Sequence, residues 1–315
     1  MLKKLLPLVL ALVLTLTACG PAPQEDSNND DFNLVTTTYP VYLLAQEVTR
    51  GVEGVTVTCM INQGIGCLHD YTLSIHDMKI LDRADLLALN GAGLEDSMAD
   101  AIAAAGCPQI DCSQGIELLE ACHEHDHSHG EEETEEADGH HHEHDNHIWM
   151  DPLRASQMLE NLAEGLAQAD PANAQTYRDN AQAAQVLLAQ GHEEVVHLLS
   201  NLDCRELITF HDGFAYFADT FGLTILRSIE EESGSEASAH EVVEILEAIE
   251  HHALPAIFTE VNGGTATAEM IQRECGIPIY ALDMMMSGPT EGNVGVQTYL
   301  DRIIQNAETL QEAYS

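Results

Sequence analysis

The residues best suited to chemistry in this chain are imidazoles and carboxylates. From His123 to Pro152 the sequence reads HEHDHSHGEEETEEADGHHHEHDNHIWMDP, a run of histidines among acids that ends abruptly in an ordered-looking NHIWMDP. Outside it, four candidates close or follow apolar, strand-like runs. His69 lies in the loop after the strand at 55–61, His211 closes RELITFH, Glu260 closes PAIFTE and Asp283 closes IPIYALD. Open α/β sheets bind their ligands beyond the carboxyl ends of the strands, where all four fall. His147 stands just before a helical pattern, between the first sheet and a linker. Two facing lobes could bring His69 and His147 from one side against His211 and Asp283 from the other. Three imidazoles and a carboxylate make a nitrogen-rich set that zinc accepts, at bond lengths of about 2.0–2.2 Å. Manganese prefers more oxygen donors. One histidine at a strand end is ordinarily structural; three with a carboxylate at such positions point to a ligand set.

The elements that must position these side chains are legible as an alternation. The stretch 32–38 reads as a strand, YPVYLLAQEVTRG as a helix closed by Gly51, 55–61 as a strand, Ile75–Leu81 as a short helix, DLLALNG as a strand and LEDSMADAIAAAG as a helix ended by Gly106. This β-α-β-α order predicts a parallel sheet. After the histidine tract, 152–168 is helical. Asp170-Pro171 then reads as an N-cap with proline in the first turn of a helix running to about 201, some 30 residues or ~45 Å long. Tyr177, Ala184, Leu187, Leu188, Val195 and Leu199 supply its apolar positions. RELITFH, LTILRSI, PAIFTE and IPIYALD then restart the strands, with helices in GFAYFADTFG, HEVVEILEAIEHH and TATAEMIQRECG. The expected fold is α/β, with two parallel-sheet lobes joined by one long helix and the metal site in the cleft between them. The expected boundaries are a signal peptide at 1–18, a tether at 19–31, an N-terminal lobe at 32–170 that carries a loop at 123–146, a linker helix at 171–201 and a C-terminal lobe at 202–315.

Composition narrows the function. With 11 Lys+Arg against 53 Asp+Glu the formal charge is -42, which repels nucleic acid and favours cations. Lys3 and Lys4 precede an apolar run at 5–16 that is too short to span a bilayer but has the form of a secretory leader. It ends in Leu16-Thr17-Ala18-Cys19, similar to a bacterial lipoprotein box, so Cys19 is the expected lipidation site and lipid anchor on the extracytoplasmic face of the cell membrane. GPAPQEDSNNDD follows as a polar tether. Seven further cysteines, Cys59, Cys67, Cys107, Cys112, Cys122, Cys204 and Cys275, include no C-x-x-C pair, so a thiolate zinc cluster is not expected. In HEEVVH, His192 and His197 lie about 140° apart around a helix and cannot share an ion. His76 and His240 read as surface residues, and His251 and His252 as helix-end residues that suit the dipole.

TTTYPVYLLAQEV, LHDYTLSIHDMKIL, DLLALNGAGLE, DNHIWMDP, LITFHDGFAYFA, FTE and ALDMMMSG follow one another in an order that identifies the family resembled. The chain is similar, from about Phe32 to its end, to the zinc/manganese-type (cluster A-I) substrate-binding lipoproteins of bacterial ABC importers, closest to zinc-binding members with a histidine-rich loop. The resemblance implies two lobes joined by a rigid helix and a metal ion held by His69, His147, His211 and Asp283. Glu260 is implied as a neighbour that orients an imidazole. It also implies zinc as cargo, with manganese the alternative, and His211 favours zinc because manganese members tend to carry glutamate there. The implied partners are a permease and its ATPase, bound by a monomer that is not an enzyme. Leu68, Thr72 and Leu73 depart from the family's P-H-x-Y-E-P loop, and MMMSG replaces its usual P-L-G after the aspartate. Cys67 is read as a core thiol, half of a disulfide with Cys59, or a soft ligand. Of the crowded histidines, only His147 belongs to the ordered segment. His123, His125, His127, His129, His140, His141, His142 and His144 form an expected unstructured loop, either a weak zinc collector or a passive acidic insert. Two other functions compete with transport: an exported zinc hydrolase with Glu260 as base, and a metal-storage or adhesion lipoprotein.

Overall fold

A computed structural model of the protein describes residues 31–62, 68, 71–121, 144–229 and 237–315. The apolar leader, Cys19, His69, Cys67, Cys122 and the tract at 123–143 lie outside the described residues. Within the first half, β1 (Phe32–Thr36), β2 (Val55–Cys59), β3 (Leu86–Leu89) and β4 (Gln109–Asp111) form a parallel sheet in the order β2-β1-β3-β4. Helices α1 (Tyr39–Val48), α2 (Ile75–Leu81) and α3 (Ala99–Ala105) connect its strands. Gly106 at φ 66° ends α3, because only glycine enters that left-handed position without strain. Strand β4 was not expected: it is three residues long and buries only Ile110.

Two helices follow. Helix α4 (Pro152–Ala169) is capped by Asp151, whose carboxylate accepts from Leu153 N at 2.8 Å. Helix α5 (Ala174–Leu199) has 26 residues, about 39 Å. The Asp170-Pro171 start expected for it is corrected here. Asp170 ends α4, and its Oδ2 accepts from Asn173 Nδ2 and Tyr177 OH, both at 2.7 Å, so the polar side chains build the turn between two helices. The buried stripe of α5, Tyr177, Ala181, Ala184, Leu188, Gly191, Val195 and Leu199, recurs at steps of three and four. That spacing lays one face along its neighbours and makes α5 a stiff connection between the halves.

The second half repeats the first. Strands β5 (Glu206–Thr209), β6 (Thr224–Ser228), β7 (Ile257–Glu260) and β8 (Ile279–Leu282) are parallel in the order β6-β5-β7-β8, with α6 (Ala215–Phe221), α7 (Ala239–His252) and α8 (Ala266–Cys275) between them. Each sheet therefore has its change of winding direction at the matching place, between β1 and β3 and between β5 and β7. Crevices for ligands open at such points. Residues 31–315 pack as one compact unit. A last helix, α9 (Val296–Ala313), which the sequence reading did not anticipate, buries Tyr299, Leu300, Ile303 and Leu310 and lies against α5.

Cys59, Cys107, Cys112, Cys204 and Cys275 are free thiols. Cys59 donates to Ile61 O at 3.2 Å, as a core thiol and not as half of a disulfide. No helix among the described residues is long and apolar enough to cross a membrane.

Gly191 explains the one glycine inside α5. A Cβ there would overlap Leu300 of α9, so the missing side chain sets how closely the helices approach. Gly191→Val is expected to cost about 1–3 kcal/mol by overpacking. At roughly 2–4 °C per kcal/mol, the thermal midpoint should fall by several degrees, which calorimetry would register.

Candidate metal centre

The centre forms where the connection out of the first sheet crosses the open end of the second. Asp145, Asn146 and His147 are all buried there. The segment is fastened on three sides. Asp145 N donates to Leu119 O at 2.9 Å, Tyr216 OH of α6 donates to Asp145 O at 2.7 Å, and Asn90 Nδ2 donates to Asn146 O at 2.9 Å. The turn Ile148–Met150 follows, wholly buried; Trp149 Nε1 donates to Met284 O at 2.9 Å, and Tyr299 OH donates to Trp149 O at 2.7 Å.

Asp145 Oδ1 accepts from the backbone N of His147 at 2.7 Å and lies 3.0 Å from its Nδ1. A carboxylate on Nδ1 fixes the ring and leaves Nε2 as the nitrogen that can take a metal. Burial favours the neutral imidazole, but the charge and hydrogen bond of Asp145, with Asp212 and Glu260 behind, outweigh it and raise His147 to about 9. A cation that takes Nε2 of the protonated ring must displace a proton.

His211 follows β5, its carbonyl accepting from Thr209 Oγ1 at 2.8 Å. Its ring meets that of His147 edge-on, with centroids 5.3 Å apart at 88°. His211 Nε2 lies 3.4 Å from Asp212 Oδ1, and its Nδ1 lies 3.8 Å from Glu260 Oε1. Glu260 reaches across the winding change from the end of β7 and is 5% exposed at its side chain. Burial raises its carboxyl to about 8 against the pull of His147, with Asp212 and Asp283 adding to the rise. Ligand atoms of His147, His211 and Asp212 all fall within 4.8 Å of one another. Two imidazoles and a carboxylate at that spacing can hold a divalent cation.

Of the four expected ligands, the structure brings together His147 and His211. His69 lies outside the described residues. Asp283 is not in the cluster of close ligand atoms: Arg302 Nη1 donates to its Oδ2 at 2.8 Å and Met285 N to its Oδ1 at 2.7 Å. Asp212 stands in the cluster instead, and sequence reasoning passed over it although it directly follows His211 in FHDGF. It also missed Asp145, two residues before His147, and Glu95 in NGAGLE. Glu95 sits at the winding change of the first sheet. It accepts from Thr37 Oγ1 at 2.6 Å, Asn90 N at 2.8 Å and Gly91 N at 3.0 Å, and so holds the loop whose Asn90 grips Asn146. Among the described residues, the other histidines singled out by the sequence stand apart. His76 and His240 are exposed, His192 packs on Phe221 with centroids 5.3 Å apart, and His252 Nδ1 lies 3.0 Å from Glu206 Oε2.

The family model described as "Zinc-uptake complex component A periplasmic" matches residues 34–313. The zinc-binding lipoprotein AdcA of Streptococcus pneumoniae is 28% identical over 315 residues, covering 98% of this chain and 61% of the relative. This chain thus spans about three-fifths of that relative's length. The high-affinity zinc uptake system protein ZnuA of Bacillus subtilis is 25% identical over 311 residues, covering 97% of this chain and 95% of the relative. A crystal structure of ZnuA superposes at a TM-score of 0.75 with 25% identity, covering 91% of this chain and 100% of that one. The laminin-binding protein Lmb of Streptococcus agalactiae, at 22% identity and a TM-score of 0.74 over 90% of this chain and 100% of its own, shares the fold.

Glu95 offers a test of how the loops are held. Burial raises its carboxyl from 4.5 to about 7, against the hydrogen bonds from Thr37, Asn90 and Gly91. A carboxyl raised on folding contributes stability that is fully present below the unfolded value and lost as pH rises through the folded one. Denaturant unfolding should therefore show the native protein losing stability between about pH 4.5 and 7.5, and Glu95→Gln, which does not ionise, losing less over the same window.

Proposed function

The chain belongs to the family of periplasmic zinc-uptake complex component A proteins, and on that premise we propose that it is the extracytoplasmic binding component of an ABC-type zinc importer. The observation that carries the reading is the meeting of His147 and His211, one from the connection out of the first sheet and one from the end of β5, with Asp212 and Glu260 beside them. Imidazole-rich sets with one carboxylate suit zinc better than manganese. The ligands are His147, His211 and His69, with a carboxylate in the fourth position. The family resemblance points to Asp283 for that carboxylate, and the closeness of Asp212 to His147 and His211 supports Asp212 as the other candidate. Relatives named as transport components support transport over an exported hydrolase.

In this reading the mature protein is a monomer held to the membrane by lipid on Cys19. It captures zinc between its lobes and docks on a permease driven by an ATPase. The formal charge of -42 raises the local concentration of cations near its surface. The tract at 123–143 adds weak sites that feed the centre.

Metal analysis and calorimetry on the purified mature protein test this. One tightly bound zinc is expected, retained when residues 123–143 are deleted and weakened at least a hundredfold by His147→Ala or His211→Ala. Asp212→Asn and Asp283→Asn decide the fourth position, since the true ligand will show the larger loss. Zinc must displace the proton that Asp145 stabilises on His147, so affinity should rise with pH toward about 9, with proton release visible as a buffer-dependent heat. Full zinc binding in both histidine variants would overturn the proposal.

A further inference from the structure

The centre has a sulfur edge. An ideal Cβ at Gly213 would overlap Met284 Sδ, and from that same point it would meet His211 Cδ2 at 3.1 Å and His147 Cδ2 at 3.2 Å. In each ring Cδ2 is bonded to Nε2, so the thioether is a near neighbour of the atom next to Nε2 in both imidazoles. Gly213 is the residue that leaves room for it; any side chain there would push the sulfur out.

Met284 is held in place and 3% exposed. Its carbonyl accepts from Trp149 Nε1 at 2.9 Å. The backbone on either side is fixed as well. Asp283 exchanges hydrogen bonds of 2.8 Å with Asn306 through both its N and its O. Met285 adopts φ 62°, a left-handed conformation rare for a side chain of this kind, and donates its N to Asp283 Oδ1 at 2.7 Å. Met285, Met286, Trp149 and Phe214 are buried in the same apolar core. A methionine used only to fill space owes its value to adaptability. This one is carried on a backbone with little freedom to adapt.

We propose that the centre also takes a soft monovalent d10 cation, Cu(I) or Ag(I), with Met284 Sδ as a ligand beside His147 and His211. The inference rests on the reading of those two histidines as metal ligands. A neutral thioether adds little to a divalent zinc or manganese ion but is a preferred donor for Cu(I).

The test uses the full-length chain labelled at methionine ε-methyl carbons, with Ag(I) as the probe because it is diamagnetic and needs no reductant. The Met284 resonance is the one absent from Met284→Leu and present in Met286→Leu. Titration with Ag(I) past saturation of the thiols should move that resonance, and the movement should disappear in His147→Ala and in His211→Ala. Competition with a chromogenic Cu(I) chelator should show at least a tenfold weaker Cu(I) affinity in Met284→Leu. An unmoved Met284 methyl at saturating Ag(I), with zinc still bound in a His147-dependent way, would overturn this inference and leave the zinc reading standing. Zinc binding indifferent to both histidine substitutions would overturn the zinc reading and this inference with it.

Discussion

One carboxylate oxygen governs the centre. Asp145 Oδ1 takes both the backbone N–H and the ring Nδ1 of His147, so a single buried acceptor sets where the residue sits and which nitrogen it presents. Burying a carboxylate beside an imidazole is costly unless the remaining polar groups are satisfied. Here the backbone groups are satisfied, because Leu119, Tyr216 and Asn90 hold the Asp145–Asn146 backbone from three directions. Two of those anchors belong to the first lobe and one to α6 of the second. The position of His147 is therefore a property of both halves at once, and neither lobe alone would build it.

Much of this was legible in the sequence, for identifiable reasons. RELITFH, PAIFTE and IPIYALD stood out as continuous apolar runs, β5 and β7 because they are buried on both faces, and their last residues fell at the mouth of the sheet where ligands collect. His211 and Glu260 stand at strand ends by that rule, whereas His147 stands out as the one histidine of the tract that belongs to NHIWMDP, and the role of Glu260 beside an imidazole comes from the family resemblance. The carboxylates were harder. What separates Asp212 from Asp283 is not their position after a strand but Arg302, which is 19 residues beyond Asp283 on α9 and claims its Oδ2. No local pattern announces such a pairing. The turn at Asp170 misled for a related reason: the residue types that cap a helix also close the turn before one, and only the partners Asn173 and Tyr177 show which. Strand β4 offers a single buried residue as a signal, and Glu95 looks like any acid after a glycine-rich turn until Thr37 is seen to reach it from β1.

The doubled sheet order gives these particulars a frame. Both lobes change winding direction between their first and third strands, and both place an acid there: Glu95 in the first sheet, Glu260 in the second. Their tasks differ because their donors differ. Glu95 receives two backbone N–H groups and a hydroxyl and so serves the loops. Glu260 Oε1 receives no hydrogen bond from the described residues and has His211 Nδ1 at 3.8 Å, so it serves the imidazole. The same location thus yields a structural clasp in one lobe and a partner for the His211 imidazole in the other.

How the lobes are joined limits how far they can part. Besides the length of α5, the segment after β8 is bonded to the first lobe along its course. Tyr39 OH donates to Pro289 O and Tyr42 OH to Thr290 O, both at 2.9 Å; Asn62 pairs with both the N and O of Gly288; and Glu47 Oε2 accepts from Val296 N at 3.2 Å. Arg50 also reaches Asn293. At about 1 kcal/mol for each hydrogen bond, parting the lobes as rigid bodies would cost several kcal/mol before any ligand was released. Gly288 tightens the joint further, because a Cβ there would stand 2.5 Å from the Tyr39 ring. The groups free to respond without breaking that set are side chains at the centre itself. In the proposed reading, Asp283 trades Arg302 for a cation and Asp212 and Glu260 change partners beside His211 while the lobes stay together. The stiffness of the joint is what keeps two histidines from distant parts of the chain in register.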